Sequence, residues 1–334
     1  WRKGPRGTAA PAIGLGTVAA GGRGLRLLSF EGPWGQEGGK RRTGILGWTG
    51  AAVFGTITVM ISLGILSWHA HETLTRTLDS YAALSPLVDE RVIWFNEISD
   101  ADRALAAAYG FDARGTSENL GILGGTHALL KSLSGDIVLS CQNDNPVSVP
   151  AGVLAARLAE AVAALRAGEA DWVRLRNRFE PGFSDEMKFL RYWGPGAACA
   201  LRRLLRPGKA ARLAGRAVAA CADPSVRFPR VFRKSGGLFL STSRWVEYTD
   251  QPFAASRAFI LEVFDWIEAH KEGTRTLNGR YVPEIVLNRS KWWRKQAFPV
   301  AVSEGVFAHA RYDDSFRPGN AAFNPERRAG PRDA

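Results

Sequence analysis

From Thr56 the chain alternates apolar runs of strand length with amphipathic runs of helix length, and this constrains its fold more than any other feature. TITVMISLGIL (56–66) is β-branched and partly alternating, which predicts a strand. HETLTRTLDSYAAL (71–84) sets Leu74, Leu78 and Tyr81 on one helical face. RVIWFNE predicts a second strand. SDADRALAAAYG predicts a helix opened by Ser99, with Asp102 three residues on, and closed by Gly110. FDARGT, GILGGTHALLKSL and DIVLSC continue as strand, helix and strand. Strands separated by helices at this spacing make βαβ units, and those make a parallel sheet. The expected class is α/β, a Rossmann-like, mostly parallel sheet flanked by helices, with a C-terminal subregion.

The second half is less regular. VPAGVLAARLAEAVAALRAG and ASRAFILEVFDWIEAHK predict helices, and DWVRLRNR a strand. A helical stretch around Pro207-Gly208 would line Arg202, Arg206, Lys209, Arg212 and Arg216 along one face if the break were mild. Residues 1–42, rich in Gly and Arg, read as a disordered or poorly defined extension. The expected division then runs 56–150, 151–316, and a flexible tail over 317–334. The uncharged run from Thr43 to Trp68 follows a basic cluster and has the length of a membrane anchor. Its β-branched second half instead suits a buried strand, and both readings stand at this stage.

Among 334 residues the net charge is +12, which implies an anionic partner: nucleic acid, an anionic membrane surface or a phosphorylated substrate. The basic clusters are scattered and no nucleic-acid-binding motif is present, which argues against the first. The basic helical stretch would suit docking on anionic lipid, although most such runs are only solvated faces. The three cysteines are widely spaced, with no CxxC, so a reducing, cytoplasmic setting is expected, with the inner face of a membrane as a variant.

In an open parallel sheet, ligands bind beyond the carboxyl ends of the strands. Those ends carry Ser67 and Trp68, then Asn96 and Glu97, then Gln142, Asn143 and Asp144. Asn119 and Gly121 stand at a helix start, where glycine lets a phosphate approach the backbone. Trp68 could stack on a base, Glu97 could accept from a base N–H or a ribose hydroxyl, and Asp144 could hold a magnesium or manganese ion on a diphosphate. Plainer readings exist for each. Asp144 could cap a turn, Asn119 could shape one, and Trp68 could be core.

Together these segments resemble the nucleotide-sugar-binding half of a GT-A fold glycosyltransferase of the family-2 type. The resemblance lies in ITVMISLGILSWHAHETLTRTLDSY, in NLGILGG, and in GDIVLSCQNDNPV at the position of that family's Asp-x-Asp motif. WVEYTDQPFAASRAF and WWRKQAFPVAVSEGVFAHARYD are similar to its acceptor-side and closing segments, so the likeness spans roughly Thr56 to Asp314. It implies a nucleotide-sugar-binding half over 56–150 and an acceptor-binding half over 151–316. It implies an inverting sugar transfer with Mn2+ or Mg2+ as cofactor, and a glycan, lipid-linked glycan or small molecule as acceptor. Ser67, Trp68, Glu97, Asn119, Gly121 and Gln142 would bind the donor, and Asp144 and His309 the metal. The base would come from Asp250, with Glu284 or the pair Asp185 and Glu186 as alternatives.

Two departures matter. Gln142 stands where the first acid of Asp-x-Asp would be, and Glu97 where an Asp is usual. Gln142 keeps a second function class open: a non-catalytic nucleotide- or glycan-binding protein with a degraded metal site.

Overall fold

In a computed structural model the structure describes residues 59–179, 184–276 and 279–312. The extension over 1–42, the first part of the anchor-length run (43–58) and the tail over 317–334 lie outside them.

The elements of the first half follow the expected alternation. They are β1 (Ile61–Ser67), α1 (His71–Asp79), β2 (Glu90–Asn96), α2 (Asp100–Ala108), β3 (Asp112–Thr116), α3 (Gly121–Ser132) and β4 (Ile137–Gln142). Then come α4 (Ala151–Arg166), β5 (Trp172–Arg176), α5 (Ser184–Trp193), α6 (Ala197–Leu205), α7 (Pro207–Leu213) and α8 (Pro224–Arg227). The chain continues through β6 (Arg233–Ser235), β7 (Leu238–Thr242), β8 (Phe253–Ser256), α9 (Arg257–His270), α10 (Pro283–Arg289), α11 (Trp292–Gln296) and β9 (Pro299–Phe307). The β6–β7 hairpin and the strands β8 and β9 carried no strong signal in sequence.

The nine strands among the described residues form one sheet in the order β3-β2-β1-β4-β8-β5-β9-β7-β6. Pairing is parallel from β3 through β4 and between β5 and β9. Among the described strands, β8 and β7 run against the rest. The α/β class is therefore met, and one continuous sheet runs through both expected halves.

Burial on both faces explains the near-continuous apolar β1. Leu63 and Ile65 pack with Leu74 and Leu78 of α1 and Leu154 of α4. Leu66 joins Leu123, Leu129 and Leu130 of α3 on the opposite face. Gly64 lets α3 approach closely: a Cβ there would meet Leu129 and Leu133 side-chain carbons at 3.0 Å. Residues 61–67 are thus a central strand, and no helix among the described residues is long and apolar enough to cross a membrane.

Helix α2 begins as expected. Ser99 Oγ accepts from the Asp102 N–H, and the Ser99 N–H donates to Asp102 Oδ2 at 2.8 Å, a reciprocal cap. The mild break at Pro207 is corrected. The backbone turns sharply at Arg206 (φ −136°, ψ 61°), because proline has no N–H and excludes helical geometry before it. The basic residues from Arg202 to Arg216 are therefore split between α6, α7 and a 3-10 turn over Ala214–Ala219.

Candidate functional site

The carboxyl ends of β1, β2 and β4 and the segment after β9 meet at one edge of the sheet. Backbone bonds zip that last segment onto the turn after β4. Ser148 donates to Val306 O, Ala308 to Pro146 O and Ala310 to Asp144 O, each at 2.9 Å. The turn is held from the other side by Thr77 Oγ1, which donates to Asn143 O at 2.7 Å, and by the Tyr81 hydroxyl, which donates to Asn145 O at 2.9 Å. Asp144 is consequently 2% exposed.

Its carboxylate gathers polar neighbours. His309 Nε2 lies 3.0 Å from Asp144 Oδ2, and Arg311 Nε donates to the same oxygen at 2.6 Å. Asn145 Nδ2 donates to Oδ1 at 3.2 Å. Burial alone would raise this carboxyl group, but His309 and Arg311 outweigh burial and hold it well below the usual carboxylate range. Asp144 is thus a buried carboxylate paired with Arg311 and His309.

Asp144 and His309, expected as metal ligands, are thus brought together. One carboxylate and one imidazole suit manganese or magnesium when a diphosphate supplies further oxygens. The described residues hold no cluster of three His, Cys, Asp or Glu side chains that could hold a metal ion, so a cation placed here would have only this pair and the oxygens of its ligand. The pair fits a divalent cation, with Arg311 competing for the same oxygen.

Gln142 ends β4 and points toward the second half. Its Nε2 donates to the Asp250 carbonyl at 3.3 Å. Asp250 itself is clamped. Its N–H donates to Glu284 Oε1 at 3.1 Å, and Thr249 Oγ1 donates to the same oxygen at 2.5 Å. Asn288 of α10 exchanges hydrogen bonds with both backbone groups of Tyr248, at 2.9 and 2.8 Å. Beneath lies an aromatic layer, with Tyr248 5.5 Å from Trp293 and 5.9 Å from Trp172 between ring centres. Burial first, then the nearby Glu284 and Asp144, push the Asp250 carboxyl well above its ordinary value. Both named base candidates, Asp250 and Glu284, therefore share one location. Glu186 of the alternative pair is exposed on α5, and the Asp185 side chain lies outside the described residues.

On the expected donor side, Trp68 Nε1 donates to Glu97 Oε2 at 2.5 Å, and His69 Nε2 lies 3.1 Å from that oxygen. Trp68 is half-buried rather than core. The Trp68 hydrogen bond is the main reason that the Glu97 carboxyl is lowered. His69 (φ 43°) and Glu97 (φ 60°) both adopt left-handed backbone just past adjacent strand ends, and such strain gathers at functional sites. Ser67 Oγ and Asn96 Oδ1 are buried without a hydrogen-bond partner among the described residues. Asn119 Oδ1 accepts from the Gly121 N–H at 2.7 Å, so it shapes the start of α3. Gly121 needs its positive φ of 71°, and its carbonyl accepts from Asn96 Nδ2 at 3.2 Å.

No protein-family model matches the chain, and no curated protein matches it. Among solved structures it is similar to glucosyl-3-phosphoglycerate synthase from Mycobacterium tuberculosis in complex with Mn2+, UDP and glucosyl-3-phosphoglycerate. The identity is 18%, over 76% of this chain and 73% of that one, with a TM-score of 0.41. The same synthase with Mg2+ and UDP gives 20% identity over the same shares and a TM-score of 0.40.

Sequence reasoning gave no donor, metal or acceptor role to three sets of basic residues. Arg311 shares the strand-like alternation of His309, two residues on, and that spacing was the available signal. Arg280 lies against Gly121, where an added Cβ would meet its side chain at 3.1 Å, and its charge helps lower Glu97. Arg174, Arg212 and Arg216 line a narrow cleft together with Trp245 and Glu247, where Arg216 Nη2 donates to Glu247 Oε2 at 2.5 Å. Arg174 is buried and pushed down to about 10, first by burial, then by the charge of Arg176; Glu284 acts the other way and Arg216 lowers it further. Arg174 of β5 pairs with Phe253 of β8, which follows the Asp250 clamp in the chain.

Proposed function

We propose that this chain is a nucleotide-sugar-dependent glycosyltransferase of GT-A type, working with a divalent cation and inverting the transferred sugar. One observation carries the reading. Two buried carboxyl groups, Asp144 and Asp250, lie close enough for the charge of Asp144 to raise Asp250, with Gln142 donating to the Asp250 backbone carbonyl, and their surroundings push the two groups in opposite directions. Groups separated in this way divide the work of charge stabilisation and proton transfer.

In this reading Ser67, Trp68, Glu97, Asn96 and the start of α3 at Gly121 receive the nucleotide, with Arg280 beside them. Asp144 and His309 would hold the cation, which supplies neutralisation of the diphosphate as it leaves. Arg311 keeps a fixed positive charge at the same place. Asp250, with its raised proton affinity, takes the proton from the acceptor hydroxyl. Glu284 holds the Asp250 backbone rather than acting as the base itself. The cleft of Arg174, Arg212 and Arg216 suits an acceptor that carries negative charge.

A second reading is favoured by one contact. Arg311 stands 2.6 Å from the carboxylate oxygen that a cation would need. A chain in which that ion pair never opens would bind a nucleotide or glycan without turning it over. The deciding experiment is calorimetric titration with UDP, GDP and dTDP, each with manganese and with chelator, followed by an assay of sugar release from the sugar form of whichever binds. Metal-dependent binding with release or transfer supports the enzyme. Binding that ignores the metal, with no release, supports the second reading.

A further inference from the structure

Helix α6 is amphipathic in the wrong sense for a helix seated on a core. Its apolar residues Leu201, Leu204 and Leu205 follow i, i+3, i+4 spacing and are 55%, 77% and 69% exposed. Cys199, on the opposite side, is the buried residue of this helix. The arginines on that inner side turn toward α5: Arg203 Nη1 donates to Tyr192 O at 2.7 Å and Arg202 Nη1 to Arg191 O at 3.3 Å. Met187 of α5 adds a further apolar side chain that is 71% exposed.

Charge along this stretch is mostly of one sign. From Met187 through Ala222 the chain contains no acidic residue, with Glu186 exposed just before it, while Lys188, Arg191, Arg202, Arg206 and Lys209 are exposed. We propose that the outward face of α6, with Met187 of α5, docks on the surface of a bilayer containing anionic lipid. A leucine stripe ringed by guanidinium and ammonium groups complements a layer that is apolar below a sheet of negative headgroups. The helix has nine residues, so it lies in the interface rather than crossing it. The leucines enter the acyl boundary and the long basic side chains reach up to the phosphates. Past the turn at Arg206, α7 carries Arg212, which is exposed and lines the basic cleft. Docking would thus hold that cleft close to lipid headgroups. This inference does not rest on the transferase reading.

The test is flotation of the full chain with vesicles of phosphatidylcholine alone and of phosphatidylcholine and phosphatidylglycerol in equal parts. The wild type is expected to float with the anionic vesicles, and added salt should weaken the binding. The triple variant Leu201→Ser, Leu204→Ser, Leu205→Ser should lose at least about tenfold in partitioning, because the inserted apolar surface is gone. Arg206→Gln with Lys209→Gln should lose the preference for anionic vesicles; both residues are exposed, so this variant tests docking if the triple variant fails to fold. Nucleotide binding by the variants should be unchanged, which separates this proposal from the active-site reading. Absence of vesicle binding overturns the proposal, as does binding that neither variant alters. Sedimentation in which the wild type self-associates and the leucine variant does not would also overturn it, since the face would then join two copies of the chain.

Discussion

Arg311 Nε and His309 Nε2 both meet Asp144 Oδ2, at 2.6 and 3.0 Å, so one buried carboxylate oxygen serves two nitrogen partners. A divalent cation bound at Asp144 has to displace or share with Arg311. Arg311→Gln is expected to tighten manganese binding about tenfold, by removing a like charge beside the ion. Asp144→Asn should abolish it. Competition of manganese against a fluorescent metal chelator reads both, independently of catalysis. Unchanged affinity in Arg311→Gln would show that the ion binds elsewhere.

Asp250 makes a prediction with opposite signs for stability and activity. Its carboxyl is raised in the folded state by burial and by Glu284 and Asp144. Its stabilising contribution is therefore complete below the unfolded carboxyl pKa of about 3.9 and is lost as pH rises through the folded value. Asp250→Asn removes that loss, so the variant should melt at a higher temperature than wild type at pH 7 and show no such difference at acidic pH. The same variant should lose about 10²- to 10⁴-fold in transfer rate, the range for a missing general base. Wild-type kcat/KM should rise with pH toward the raised Asp250 value. Thermal melts across pH and a pH–rate profile check both signs.

Gln142 differs from the acid of the related motif, and its contact shows the consequence. Its amide donates to the Asp250 carbonyl, a bond that a carboxylate cannot make. Gln142→Asp should therefore destabilise the fold by about 1–3 kcal/mol, through an unsatisfied acceptor facing another acceptor. Urea unfolding measures it. Equal stability would mean that this bridge contributes nothing to holding the two halves together.

The basic cleft should select for charge. Arg212 is exposed at its wall. Arg212→Gln should raise KM for an anionic acceptor about tenfold while leaving kcat close to wild type, the pattern of lost uniform binding. A parallel drop in kcat would place Arg212 in the chemical step instead.

What the sequence determined by itself is local. The apolar runs of β1 to β4, the Ser99–Asp102 cap and the turn residues around Asp144 each depend on neighbours a few positions away, and periodicity and capping chemistry report such relations directly. Only the tertiary structure decided what those residues do. His309 and Arg311 reach Asp144 from 165 and 167 residues away, and Gln142 meets Asp250 across 108. Those meetings require the parallel pairing of β9 with β5, the antiparallel insertion of β8, and the zipping of residues 306–310 onto the β4 turn. Register between distant strands is set by the packing of whole faces, which no local pattern records. The outward leucines of α6 show the same limit. Helical spacing marks an apolar stripe in sequence, but the seating of Cys199 against α5 decides that the stripe faces away from the core.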